Sequence, residues 1–127
     1  MFDLENQEQW NEVLKESHIL VANFFESDDV KSTRVTEQLQ DFAKGLSFYP
    51  DTCFVRVDTK KYARLAEVYN VNETPAIMVF HKEQPLKLMD VEANGAPRKV
   101  DKIVGNRPDL PQYLTDLIAQ LHRPMKV

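Results

Sequence analysis

Cysteine and glycine are scarce in this chain of 127 residues. Cys53 is its single cysteine, so these residues cannot form a disulfide among themselves. Only 3 glycines occur, so few positions can adopt a positive φ at low cost. The shortage of glycine predicts regular helices and strands joined by short turns.

The chain also has no concentrated basic surface and no long apolar run. Its net charge is -4, and its densest basic cluster, Arg98, Lys99 and Lys102, contains Asp101. Nucleic-acid binding usually requires clustered positive charge, so we expect no nucleic-acid partner. No apolar run approaches the ~20 residues that cross a bilayer, so we expect no membrane partner.

The start of the sequence lacks the basic and apolar regions of a secretory signal peptide. A lone cysteine fits a reducing compartment, and the two observations together predict a cytoplasmic location. Hydrophobic residues make up 43% and charged residues 28%, which is typical of a globular domain. We place one domain at residues 1–121 and a flexible tail at 122–127.

Apolar residues at helical spacing predict four helices. The first spans 6–17, with Asn6 as its cap and Gln9 in the capping-box position. The second follows the acidic cluster at 26–29, and its buried face is Val35, Leu39, Phe42, Ala43 and Leu46, ending near Gly45. The third runs from Thr59 to about Tyr69, and the fourth begins near Asp109 with Pro111 in its first turn.

Apolar runs at 18–25, 53–58 and 76–81 predict buried strands, and Phe2 and Leu4 predict a short one. Leu86–Met89 and Val100–Val104 predict a hairpin around Asn94–Gly95, the strongest turn signal in the chain. Strands joined through helices pair in parallel, and a hairpin adds antiparallel pairs. The order predicts an α/β fold with a mixed sheet of four to five strands and helices on both faces.

Four segments, in this order, resemble the thioredoxin family over roughly residues 2–121. Ile19–Ser27 resembles its central strand, and Val55–Asp58 resembles the next one. Leu65–Pro75 resembles the family segment that ends in Thr-Pro, and Ile103–Gly105 resembles its closing glycine. Asn106–Arg107 is closer to disulfide-isomerase domains. The resemblance implies a thioredoxin fold in which Pro75 is cis and faces the active site.

The same resemblance locates a missing dithiol. Thioredoxins carry Trp-Cys-x-x-Cys directly after the first buried strand. Aligning Asn23 and Phe24 places Asp28 at the tryptophan position and Asp29 and Ser32 at the two cysteine positions. Disulfide exchange needs a thiolate and a resolving thiol, and a carboxylate replaces neither. We therefore expect no enzyme activity, no cofactor and no metal.

These observations predict a non-catalytic interaction module, an adaptor or subunit of a larger assembly that binds another protein or an extended peptide segment. The predicted partner surface replaces the active site and comprises Phe25, Glu26, Ser27, Asp28, Asp29, Val30, Thr74, Pro75 and Ala76. A simpler interpretation of Asp28 and Asp29 is helix capping. A simpler interpretation of Thr74–Pro75 is that the proline only shapes its loop.

Two alternatives remain open. One is a peptide-holding chaperone-like domain, which requires an exposed apolar groove. The other is a single-thiol redox protein that uses Cys53, although a small apolar core residue explains that cysteine equally well. His18, His81 and His122 do not stand at metal-ligand spacing. The 86–98 stretch is longer than a thioredoxin needs, and surface insertions of this kind often contact partners.

Overall fold

A computed structural model of the protein describes residues 2–26, 28, 33–37, 39, 51–91, 94–105, 107 and 109–121. No helix in these ranges is long and apolar enough to cross a membrane. The described elements, in chain order, are β1 (Phe2–Asp3), α1 (Gln7–Glu16), β2 (Ile19–Phe25), α2 (helical at 33–37 and 39), β3 (Thr52–Asp58), α3 (Ala63–Val68), β4 (Ala76–His81), β5 (Gln84–Pro85), β6 (Leu88–Val91), β7 (Pro97–Val100), β8 (Ile103–Val104) and α4 (Leu110–Leu121).

The main sheet is mixed, which confirms the predicted α/β architecture. Its strand order is β1–β3–β2–β4–β5, and β8 also pairs with β4. The central strand β2 lies parallel to β3 and antiparallel to β4. The sheet reaches 6 strands because it includes β1, β5 and β8, each only 2 residues long.

Both faces of the sheet carry a hydrophobic core. Alternate residues of β2 face α2 and α4 on one side, and α1 and α3 on the other. All seven residues of β2 are buried, as expected for a central strand. On the α1 side, four rings with centroids 5.3–6.3 Å apart form the Trp10 cluster, which comprises Trp10, Phe24, Tyr69 and Phe80.

The first helix begins as predicted, whereas the third does not. Asn6 Oδ1 accepts from the Gln9 amide at 2.8 Å, and Gln9 Oε1 accepts in return from the Glu5 amide at 2.7 Å. Thr59 does not cap a helix, because its amide and hydroxyl both donate to the Phe25 carbonyl. Asp58 Oδ1 instead accepts from the amide of Lys60 at 2.9 Å, so 59–62 form turns before α3.

The described part of the buried face of α2 agrees with the sequence pattern, since Val35 and Leu39 are fully buried. In α4, Leu110, Leu114 and Ile118 are fully buried. The predicted core residues Phe42, Ala43 and Leu46, the end near Gly45 and the tail at 122–127 lie outside the described residues.

The prediction for 86–104 is correct for a hairpin and wrong for its second strand. β6 pairs with β7 as a separate two-stranded sheet, with Leu88 opposite Val100. Gly95 adopts a φ of +86° in the turn between them. Ile103 does not belong to the hairpin, because it is 1% exposed and lies opposite Ile77 in the main sheet. Because Ile103 is buried in the main sheet, β8 pairs with β4 and not with the hairpin.

Two side chains hold the backbone of β6 at Met89. The Tyr113 hydroxyl accepts from the Met89 amide at 2.8 Å, and Arg107 Nη1 donates to the Met89 carbonyl at 2.7 Å. The Arg107 guanidinium lies 4.4 Å over the Tyr113 ring and pairs with Asp109 at 2.6 and 3.1 Å. We call this arrangement the Met89 clamp, and it fixes the hairpin against α4.

Candidate functional site

Three of the four segments that resemble thioredoxin meet at one edge of the sheet. Phe24, near the end of β2, lies opposite Ala76 of β4. The Thr74–Pro75 peptide bond directly before Ala76 is cis. The Gly105 amide, at a residue with φ +85°, donates to the Pro75 carbonyl at 2.8 Å. The resemblance therefore predicted which segments come together here.

Burial divides the predicted partner surface. Asp28 is exposed, and Glu26 and Thr74 are half-buried. Phe25 is only 8% exposed, Ala76 is 0% exposed and Pro75 is also buried, so these three side chains support the surface and do not form it. Ser27, Asp29, Val30 and Ser32 lie outside the described residues.

Asp28 forms an ion pair across the site. Its Oδ2 lies 2.7 Å from Nζ of Lys60, which belongs to the turn after β3. The hydrogen bond to Asp28 raises the pKa of Lys60. Exposed ion pairs contribute little to stability, so the main consequence of this pair is that it places two opposite charges side by side on the surface. The segment after β2 and the turn after β3 thus form one surface.

A polar side chain lies in the core just behind this surface. Asn23 is 0% exposed, and its Nδ2 donates to Thr36 Oγ1 at 2.9 Å. Its Oδ1 accepts no hydrogen bond from the described residues. An unsatisfied buried acceptor costs about 1–3 kcal/mol. Asn23 stands at the position where, by the resemblance, the thioredoxin family carries Asp or Asn.

Arg56 was not singled out from the sequence, although it is the one charged residue inside an otherwise apolar run. Its guanidinium lies 4.4 Å over the Phe25 ring. Its Nε is 3.0 Å from Asp3 Oδ1 but makes no hydrogen bond there, since the alignment is poor. Cavities of about 180 and 250 Å³ adjoin Phe25 and Arg56. Charged side chains, Asp3, Arg56 and Asp58, therefore lie beside Phe25 at this end of the sheet.

Cys53 lies at the other end of these strands. It occupies the second residue of β3, opposite Leu20, and is half-buried against the core that contains Trp10. Burial raises the pKa of the thiol, and a hydrogen bond with Ser17 opposes this shift only in part. Its surroundings favour the interpretation as a core residue.

We expect native Cys53 to react slowly with a thiol reagent at neutral pH. Because burial raises the pKa of the thiol and also limits access of the reagent, labelling by a disulfide reagent should be clearly slower than in urea. The measurement is absorbance of the released thiolate, with Cys53→Ser as the blank. A native rate equal to that of the denatured chain would contradict the placement of the thiol.

Two histidines lie closer together than their spacing in the sequence indicated. The rings of His18 and His81 meet edge to face with centroids 4.8 Å apart, because antiparallel pairing places Ile19 opposite His81. His122 lies outside the described residues. Within the described ranges, no group of three or more His, Cys, Asp or Glu side chains is placed to hold a metal ion.

Comparisons with known proteins agree with this geometry. No family model matches the chain. An Arabidopsis thaliana protein named "Putative thioredoxin H10" is 30% identical over 118 residues, which cover 90% of this chain and 66% of that protein. This chain therefore spans less than two thirds of that relative's length.

Solved structures match over nearly the whole chain. A thioredoxin from Trypanosoma brucei brucei superposes with a TM-score of 0.70 at 19% identity, covering 92% of this chain and 89% of that one. The zinc-bound form of human ERp44 gives 0.72 at 18% identity, covering 94% of this chain and 31% of that one. The protein has the thioredoxin fold.

Proposed function

We propose that this protein is a thioredoxin-fold interaction module without dithiol-exchange activity, an adaptor or subunit that binds another protein or an extended peptide segment. Its partner surface centres on the exposed or half-buried side chains Glu26, Asp28 and Thr74. The observation that carries the proposal is a retained cis-proline edge in a chain whose one cysteine lies elsewhere. Free thiols persist in reducing compartments, which supports a cytoplasmic location.

The position of Cys53 supports the absence of thiol exchange. Cys53 lies opposite Leu20, whereas the candidate surface begins after Phe25, five positions further along β2. At about 3.3 Å per residue, the two are roughly 16 Å apart. A half-buried thiol with a raised pKa is a poor nucleophile, and no second cysteine resolves a mixed disulfide.

The chaperone alternative is not favoured by a specific observation. A peptide-holding domain needs a contiguous apolar surface. The exposed large apolar side chains in the described ranges are Val68, Met89 and Val104, which lie on α3, β6 and β8.

Two measurements test the proposal. With an active thioredoxin run in parallel, the protein should reduce insulin no faster than dithiothreitol alone. In affinity capture from the native source, Asp28→Lys and Glu26→Lys should each lower recovery of a stoichiometric partner by about tenfold. Glu12→Lys, on the exposed face of α1, is the matched control. Insulin reduction would refute the non-catalytic assignment, and unchanged capture by both variants would refute the surface.

A further inference from the structure

A groove of about 320 Å³ lies beside the cis-proline edge. One wall is the loop before Thr74, and the other is formed by the end of the hairpin and β8. Because Val104 lies opposite Ala76, the groove continues directly from the candidate site. We call it the hairpin groove, and its lining residues are Asn70, Asn72, Glu73, Arg98, Lys102 and Val104.

The hairpin groove carries more positive than negative charge, in a chain whose net charge is -4. Arg98 and Lys102 stand on the hairpin side, with Glu73 on the loop side. The Arg98 side chain is 53% exposed, and its Nη2 forms a loose ion pair with Asp90 Oδ2 at 3.9 Å, too long for a hydrogen bond. A carboxylate that enters the groove can therefore accept directly from this guanidinium.

The floor of the groove suits an extended chain. Val104 is 40% exposed, and among the described residues β8 has a strand on one side only. Alternate side chains of an extended segment point to opposite sides. Side chains that enter the groove meet Val104 as well as Arg98 and Lys102, as in binding by strand addition.

The backbone of the hairpin that bears this wall is held in place. The Met89 clamp fixes β6, and an ion pair between Lys87 and Asp101 joins the two ends of the hairpin. A backbone segment that is ordered before binding loses less entropy when a partner docks. The clamp also occupies the amide and carbonyl of Met89, so the outer edge of β6 is not the docking edge.

We propose that the hairpin groove binds an acidic, extended peptide segment with alternating apolar residues, which extends the partner surface of the proposed function and rests on it. A second copy of this chain fits less well, because pairing two β8 edges brings the Arg98 and Lys102 side chains of both copies together. Glu73 and the overall negative charge oppose a nucleic-acid backbone.

Titration calorimetry with three peptides of equal length, in which valine alternates with glutamate, glutamine or lysine, tests this proposal. The glutamate peptide should bind at least about tenfold more tightly than the glutamine peptide, and less tightly in high salt. Arg98→Glu and Lys102→Glu should each weaken it about tenfold, and the double variant should prefer the lysine peptide. Lys99→Glu, one residue along β7 on its other face, is the matched control and should change affinity less than about twofold.

Equal affinity for the three peptides, or an equal loss with Lys99→Glu, would overturn the proposal. Tighter binding of a single-stranded oligonucleotide, or a dimer in sedimentation that Arg98→Glu dissociates, would assign the groove to another occupant. If peptide binding depends on Arg98 but partner capture does not change in Asp28→Lys, the groove proposal stands and the surface of the proposed function is rejected. If capture depends on Asp28 but the peptides do not bind, the surface stands and the groove proposal is rejected.

Discussion

Replacing Phe80 with alanine is expected to lower the free energy of unfolding by about 3–5 kcal/mol. Phe80 is 1% exposed, and its ring lies 5.5 Å from Trp10 and 5.3 Å from Tyr69. Removing the ring deletes buried apolar surface and leaves a cavity that the neighbouring rings fill only in part. Small domains are stable by about 5–15 kcal/mol, so the variant should lose a large share of the total.

The measurement is urea unfolding followed by the fluorescence of Trp10, the one tryptophan of the chain. Val68→Ala is the matched control, because Val68 is 63% exposed and its truncation should change stability by less than about 0.5 kcal/mol. Circular dichroism of both variants checks that the comparison starts from folded protein. A loss below about 1 kcal/mol for Phe80→Ala would show that the Trp10 cluster is not packed as described.

The elements that could be predicted from the sequence are those whose own residues carry a strong pattern. β2 is apolar throughout, and α1 combines an apolar stripe with a capping asparagine. A strand of 2 residues has no periodicity to detect, so β5 was missed. β8 was assigned to the wrong partner because Ile103 can pair with the hairpin or with Ile77. The choice between these two pairings depends on how the whole core packs, which the local sequence does not show.

The candidate site was likewise predicted only where its segments carry a recognisable sequence pattern. The resemblance placed the end of β2, Thr74–Pro75 and Gly105 together, because those segments carry recognisable residues. It also assigned Phe25 and Ala76 to the partner surface, although both belong to apolar runs that predicted buried strands, and both are buried. The hairpin groove joins residues 70–73 to residues 98–104, and no local pattern relates two loops about 30 residues apart.

Replacing Asn23 with aspartate is expected to make the stability of the protein decrease as pH rises. Asn23 is 0% exposed, and burial of a carboxyl favours its neutral form by up to about 3–5 pKa units. Arg56 lies opposite Asn23 and favours the ionised form, but its guanidinium is stacked on Phe25 and lies beside Asp3. Desolvation should therefore prevail, and the folded-state pKa should exceed the roughly 3.9 of an exposed Asp.

The sign of the effect follows from this raised pKa. Below about pH 4 the new carboxyl is protonated in both the folded and unfolded states, so the variant should be nearly as stable as the wild type. As pH rises towards the folded-state pKa, the unfolded chain releases its proton first, and the variant loses about 2–4 kcal/mol by about pH 8. Asp101 and Asp109 have lowered pKa values in both proteins, so their loss of stability at low pH cancels in the difference.

Urea unfolding of wild type and variant across this pH range measures that difference, with Asn23→Ala as the pH-independent control. A constant difference would mean that Arg56 compensates the buried charge fully. If the stability difference grows with pH as expected, a carboxyl at position 23 would titrate inside the core behind the cis-proline edge. The neutral amide of Asn23 avoids this. A neutral residue at position 23 suits the proposed docking surface, because the core behind that surface then does not depend on ionisation at this position.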